Sequence, residues 1–104
     1  MIRIPQQRPP THPGEMLVEE FLRPWGMTQV ELSRRIGVPF QRVNQIVNRR
    51  RAVSPDTALR LARLFGTTPG FWLALQQRWD LYQTLRSTAA KSISRIKPVV
   101  RRAS

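Results

Sequence analysis

Apolar residues along this chain recur at helical spacing, and proline, glycine and small hydroxyl residues punctuate them. In HPGEMLVEEFLRPWG, Leu17, Val18 and Phe21 form an apolar face, Pro13 suits a first helical position, and Pro24 with Gly26 ends the run. Glu15 and Glu19 lie near the positive end of that helix dipole. TQVELSRRIG predicts a second helix, with Thr28 and Glu31 as a capping box, Leu32 and Ile36 facing inward, and Gly37 just past the end. Only Val38 separates it from Pro39, which is expected to open a third helix at its first position. Two short helices joined so tightly make a helix-turn-helix, provided the third packs across the second. SPDTALRLARLFG predicts a fourth helix, capped by Ser54, begun by Pro55 and ended by Gly66, with Ala58, Leu61, Ala62 and Phe65 as its stripe. TTPGFWLALQQRWDLYQTLR predicts a fifth, with Thr68 as cap and Pro69 first. No strand pattern and no internal repeat interrupt the series. The expected class is all-α with five helices, in one domain over residues 13–86. Residues 1–12, with Pro5, Pro9 and Pro10, read as an extended, flexible arm. Past Arg86 the helical period fades into a frayed end and a basic, disordered tail over 87–104.

The third helix carries a second pattern on top of the first. At about 100° per residue, Val43, Ile46 and Val47 of VPFQRVNQIVNRRR fall on one side. Gln41, Asn44, Gln45 and Asn48 fall within an arc of roughly 100° on the other, with Phe40 and Arg42 at its edges. A core has no use for four amides, and a solvated face ordinarily mixes in charge. Each amide offers a donor and an acceptor on one plane, which matches adenine N6 and N7 in the DNA major groove. The N-terminal half of the second helix of a helix-turn-helix enters that groove, which makes Gln41, Asn44 and Gln45 the candidate base readers. Phe40 either touches a thymine methyl or is a partly exposed core residue at the turn. Asn48 lies farther along and reads either as a base contact or as a C-terminal cap.

Charge strengthens this picture. Lys and Arg number 18 against 6 Asp and Glu, for a net charge of +12 and a pI near 12.0. Residues 25–53 hold six Arg and one Glu, and residues 86–104 hold six basic and no acidic residues, so most of the excess lies in two blocks. A surface serving solubility alone would mix its signs more evenly, and blocks of one sign point to a polyanionic partner. Arg42, Arg49, Arg50 and Arg51 stand where they would grip phosphates beside the groove, whereas Arg34 and Arg35 also read as a solvated face. Thr28 and Gln29 are also candidate DNA contacts: Gln29, just after the cap Thr28, offers its side chain where backbone N–H groups face an anion. Neutralising about four to six phosphates per protomer would make binding fall steeply with salt.

Composition closes off other classes. With no cysteine and one histidine, the chain lacks disulfides, thiolate metal sites and a histidine-built metal cluster. His12 precedes Pro13 and fits the N-cap of the first helix better than a catalytic base. No nucleophile, acid–base pair or glycine-rich phosphate loop assembles, so an enzyme is not expected and neither is a cofactor. MIRIPQQRPP has no signal-like apolar stretch and no run approaches the roughly 18 residues of a membrane span, which leaves a cytoplasmic protein as the expectation. RNA binding is open to the basic tail, but no aromatic stacking platform of the single-strand kind is visible.

Together HPGEMLVEEFLRPWGMTQVELSRRIGVP, QRVNQIVNRRR and SPDTALRLARLFGTTPGFWLALQQRWDLY make residues 13–85 resemble the lambda-Cro-like helix-turn-helix proteins, and within them the HigA-type antitoxins. A generic repressor would share TQVELSRRIG, whereas PGFWLALQQRWDLY is what looks like the antitoxin group. The resemblance implies a five-helix, lambda-repressor-like DNA-binding domain with its helix-turn-helix at about 28–48. It also implies a homodimer on an inverted repeat in its own promoter, and a toxin partner, typically a RelE-like ribonuclease that cleaves messenger RNA. A phage-type or host repressor without a toxin is the alternative. One departure stands out. The family often reads Asn-Gly-Lys/Arg where this chain reads NRRR, so Arg49 occupies the place of a glycine expected in the left-handed region. On the fifth helix, Phe71, Trp72, Leu75, Trp79 and Tyr82 lie within about 100° while Leu73 and Leu81 point elsewhere. Apolar residues on a second face would form a dimer surface; the alternative is that these aromatics belong to a single core.

Overall fold

The computed structural model describes residues 9–100 and is all-helical over that range, with no strand among the described residues. The helices are α1 (Pro13–Leu17), α2 (Gln29–Ile36), α3 (Phe40–Val47), α4 (Pro55–Phe65), α5 (Pro69–Leu85) and α6 (Ala89–Ser94). α2 and α3 form the expected helix-turn-helix. Residues 1–8 of the expected arm and 101–104 of the expected tail lie outside the described residues.

Local chemistry accounts for most boundaries. Thr28 Oγ1 accepts from the Glu31 N–H at 3.0 Å, Ser54 Oγ from Thr57 N–H at 3.3 Å, and Thr68 Oγ1 from Phe71 N–H at 3.1 Å. Each satisfies one of the donors that the first helical turn leaves without a partner. α2 ends in a Schellman motif: Gly37 is left-handed at φ 70°, its N–H donates to Arg34 O and the Val38 N–H donates to Ser33 O. Pro39 corrects the expected register by one residue. At φ −61° and ψ 144° it is the extended N-cap of α3, and Phe40 is the first helical residue.

Two further elements depart from the periodic reading. α1 runs straight into one π-helical turn, Val18–Leu22, closed by the Arg23 N–H donating to Val18 O at 3.0 Å. The extra residue in that turn re-phases the helix, so that Leu17 and Leu22, five apart, are both buried. Phe21 remains at the edge of the core, packed on Phe65 and Trp72 at centroid distances of 4.7 and 5.2 Å. The second departure is α6, which folds within the stretch expected to be disordered. α5 supplies the surface it rests on, and nearly all of its own residues stay exposed.

α1 packs on α3 and α5, α2 on α3 and α4, and α4 on α5. Trp72 sits at the centre of this arrangement with no exposed surface, and its indole N–H donates to Thr67 Oγ1 at 2.8 Å. Gly14 marks the tightest approach. A β-carbon there would collide with the Ile46 carbonyl oxygen and come within 2.9 Å of Val47 Cα, so only glycine lets α1 seat against the last turn of α3.

His12 begins that seat. Its Nδ1 accepts from the Gly14 N–H at 2.9 Å, it is almost wholly buried, and its ring meets Trp79 edge-on at 4.9 Å. The cap therefore requires the neutral imidazole with its proton on Nε2. Burial first, then the Arg49 guanidinium, push the imidazole below its ordinary range; the Asp80 and Glu15 carboxylates oppose this with smaller effect. A histidine depressed in the folded state binds fewer protons there than in the unfolded chain, so its contribution is kept above the unfolded pKa and stability falls with pH below it. Urea unfolding between about pH 8 and pH 5 is expected to show this loss in the wild type. His12→Asn keeps a capping oxygen and removes the titration; a pH dependence as steep as that of the wild type would rule out His12 as the source.

Candidate nucleic-acid interface

α3 divides as its sequence predicts. Val43 and Ile46 are buried and Val47 half-buried, while Gln41 and Asn48 are exposed on the opposite side, with Asn44 and Gln45 half-buried between. The amides are linked to one another. Asn44 Nδ2 donates to Gln29 Oε1 at 3.1 Å, and Asn48 Nδ2 donates to Asn44 Oδ1 at 3.1 Å. Gln29, at the first position of α2, is thereby tied across the helix-turn-helix to two amides of α3. Arg51 Nε donates to Gln45 Oε1 at 2.8 Å. Side chains held this way before any ligand arrives have less rotamer freedom to lose on binding. Gln41, at the N-terminal end of the face, has no such tie among the described residues.

The edges of the face are equally defined. Phe40 is 44% exposed at the start of α3, so the partly exposed alternative describes its position and leaves its ring accessible. Thr28 directs its hydroxyl into the α2 cap, which leaves little more than its outer surface for a partner. Asn48 is the C-cap of α3, so the capping alternative holds while its side chain still lies on the amide face. Arg42 is half-buried and reaches Asp56 at 3.4 Å; Asp56 also receives Arg60 Nε at 2.8 Å. Asp56 is missed by sequence reasoning, because a first-turn acid on α4 reads simply as a favourable dipole residue.

Arg49 resolves the departure at NRRR. It is the sole non-glycine residue of positive φ among those described, at 61°. Its N–H donates to Ile46 O and the Arg50 N–H donates to Gln45 O at 2.7 Å, which is the same Schellman pattern that ends α2 at Gly37. The backbone thus keeps the glycine geometry with arginine in it, at a cost of about 1–2 kcal/mol. The guanidinium lies 5.0 Å from the Trp79 ring centroid, a cation–π contact of about 0.5–1 kcal/mol at an exposed site. The two are comparable, so the contact offsets much of the strain. Arg49, expected as a phosphate grip, is exposed and lays its guanidinium against the Trp79 ring of α5. Arg50 and Arg51 remain exposed beside the amide face.

Three of the five α5 residues expected at a dimer surface lie in the interior, and Phe71 and Trp79 are half-buried. Trp72 is fully buried in its own core, and Leu75 and Tyr82 are each 7% exposed. Phe71 packs on Trp72 and Phe21, and Trp79 lies between His12 and Arg49. The π-helical turn and His12 cover this face of α5 from the α1 side, as the single-core alternative has it for the buried three. The apolar residues that α5 leaves outside are Leu81 and Leu85, 44% and 43% exposed, with Ile93 of α6 at 47%. Of the two leucines off the aromatic arc in sequence, Leu81 is exposed and Leu73 is half-buried against the core.

No helix is long and apolar enough to cross a membrane, and no acid, histidine or cysteine group suited to a metal occurs among the described residues. A helix-turn-helix family profile matches residues 20–72. Antitoxin HigA-1 of Vibrio cholerae is 37% identical over 89% of this chain and 87% of its own length. Among solved structures, antitoxin GraA in complex with its operator superposes with a TM-score of 0.83 at 38% identity, covering 97% of this chain and all of that one. Antitoxin HigA of Pseudomonas aeruginosa with the higBA promoter gives 0.81 at 35%, covering 88% of this chain and 99% of that one. With the α2–α3 unit inside the matched segment and these relatives covering most of its length, the chain belongs to the helix-turn-helix family and, within it, to the HigA-type antitoxins.

Proposed function

We propose that this protein is the antitoxin of a type II toxin–antitoxin module and an autorepressor that binds an inverted-repeat operator as a homodimer. The observation that carries the reading is the amide face of α3, tied to Gln29 and flanked by exposed Arg50 and Arg51 within a block of net charge +5. That combination separates two tasks: cations hold phosphates and amides read base edges. Gln41, Asn44 and Gln45 enter the major groove, Asn48 borders it, and Arg42, Arg50 and Arg51 with the N-terminus of α2 engage the backbone. Two-fold symmetry would set the α3 helices of a dimer roughly 34 Å apart, one turn of DNA. Its relatives with operator DNA support this reading. Neutralisation of a RelE-like, mRNA-cleaving toxin in the cytoplasm completes the proposal, on family grounds.

Gln41→Ala or Gln45→Ala is expected to cost about 1–3 kcal/mol on the preferred duplex and little on random DNA. Gel shifts showing equal losses on both would remove these residues from base reading. The dimer surface in this reading is Leu81 and Leu85, one turn apart on α5 and both exposed. Leu81→Glu with Leu85→Glu is expected to halve the mass seen in sedimentation equilibrium while leaving the helical signal of the monomer; an unchanged mass would place the interface elsewhere. A toxin-free repressor would share every feature of α2 and α3, so co-purification with the product of the adjoining gene separates the two. Recovery of a ribonuclease-sized partner supports the antitoxin, and its absence favours the repressor.

A further inference from the structure

We propose that Arg49 and Trp79 form a clasp that positions the reading face of α3, with Arg49 acting as a positioning residue for DNA recognition and not as a phosphate contact. The inference rests on the DNA-reading role proposed for α3. α2 and α3 end in the same Schellman motif, yet α2 has Gly37 at the left-handed position and α3 has Arg49. Glycine would serve the backbone better at both. What arginine adds at the second is a side chain, and that side chain is folded onto the Trp79 ring at 5.0 Å.

Trp79 connects this contact to the rest of the domain. Its ring meets His12 edge-on at 4.9 Å, His12 caps α1, and Gly14 of α1 lies directly against Ile46 and Val47. The path from the end of α3 through Arg49, Trp79, His12 and Gly14 therefore returns to the last turn of α3 and closes on itself. A second tie lies a few residues on. The Val53 N–H donates to the buried Gln76 Oε1 at 2.9 Å, and Gln76 Nε2 donates to Asp80 at 3.0 Å. α5 thus holds the segment after α3 at both ends, through Trp79 at Arg49 and through Gln76 at Val53. Arg50 and Arg51 project from between those anchors, and Arg51 in turn orients Gln45. Releasing Arg49 frees the near anchor, and with it the aim of Arg51, Gln45 and Asn48, while leaving the overall positive field almost unchanged.

The test uses the full-length protein, a duplex selected by the wild type from a randomised pool, and a scrambled duplex of the same length. Arg49→Gly keeps the left-handed backbone and removes the clasp; Arg49→Lys restores a cation for the ring. Arg49→Gly is expected to bind the selected duplex about tenfold more weakly, with unchanged affinity for the scrambled duplex and an unchanged slope of log affinity against log salt. Arg49→Lys is expected to regain most of the loss. Trp79→Leu should reproduce the Arg49→Gly effect, and the double variant should add nothing to it; if Trp79→Leu fails to fold, the Arg49 pair carries the test. A fall of about one in the salt slope with equal losses on both duplexes would make Arg49 a phosphate contact and overturn the clasp. No loss on either duplex would overturn it as well. Failure of the wild type to select any sequence would instead remove the DNA-reading role, and the clasp's function with it.

Discussion

Gly14 lies against the backbone of Ile46 and Val47 with no room for a β-carbon, and that approach sets where α3 can sit. The amides of α3 point outward only because its other side is pressed onto the core through Val43 and Ile46 and its last turn is fixed on α1. His12 makes the approach possible by capping α1 from a buried position, where an ordinary serine cap would leave the Trp79 ring without its edge contact. Helix 1 is thus the support of the recognition helix. Its five α-helical residues would be too short to persist alone, and the π-helical turn extends it so that Leu17 and Leu22 anchor it together.

On this support the polar surface is organised before any partner binds. Gln29, Asn44 and Asn48 form a line of amide hydrogen bonds from the N-terminus of α2 to the end of α3, and Arg51 holds Gln45. The same bonds that order the face use up part of its hydrogen-bonding capacity, so recognition must keep or exchange them. Among the described residues, Gln41 is the one amide of α3 without such a bond. Arg42 is shared with Asp56, which makes its release part of any phosphate contact. The surface is therefore a balance between order in the free protein and donors available to DNA.

α5 shows how one helix can serve two regions. Its first half supplies Trp72 and Leu75 to the core, and Gln76 and Trp79 secure the segment that leaves α3. Its second half leaves Leu81 and Leu85 exposed beside α6. Any event that moves α5 is felt at the exit of the recognition helix, because Gln76 and Trp79 lie on the same rigid element as the exposed leucines.

The caps Thr28, Ser54 and Thr68, the stops at Gly37 and Gly66 and the two faces of α3 were all legible in the sequence, since each depends on residues within one or two helical turns. So were His12 as a cap and Arg49 as the residue standing where glycine is favoured. The π-helical turn was not, because its cause is the need of Leu22 to reach a core built by later helices. Nor was the burial of Trp72, Leu75 and Tyr82, since an arc of aromatics looks the same whether it covers its own domain or a second copy. The contact of Arg49 with Trp79, 30 positions along the chain, was not legible either, since charge alone points an arginine there toward phosphate. Local hydrogen bonding and helical period are encoded by neighbours in sequence; which face a residue turns to which partner is decided by packing between distant segments, and that requires the tertiary structure.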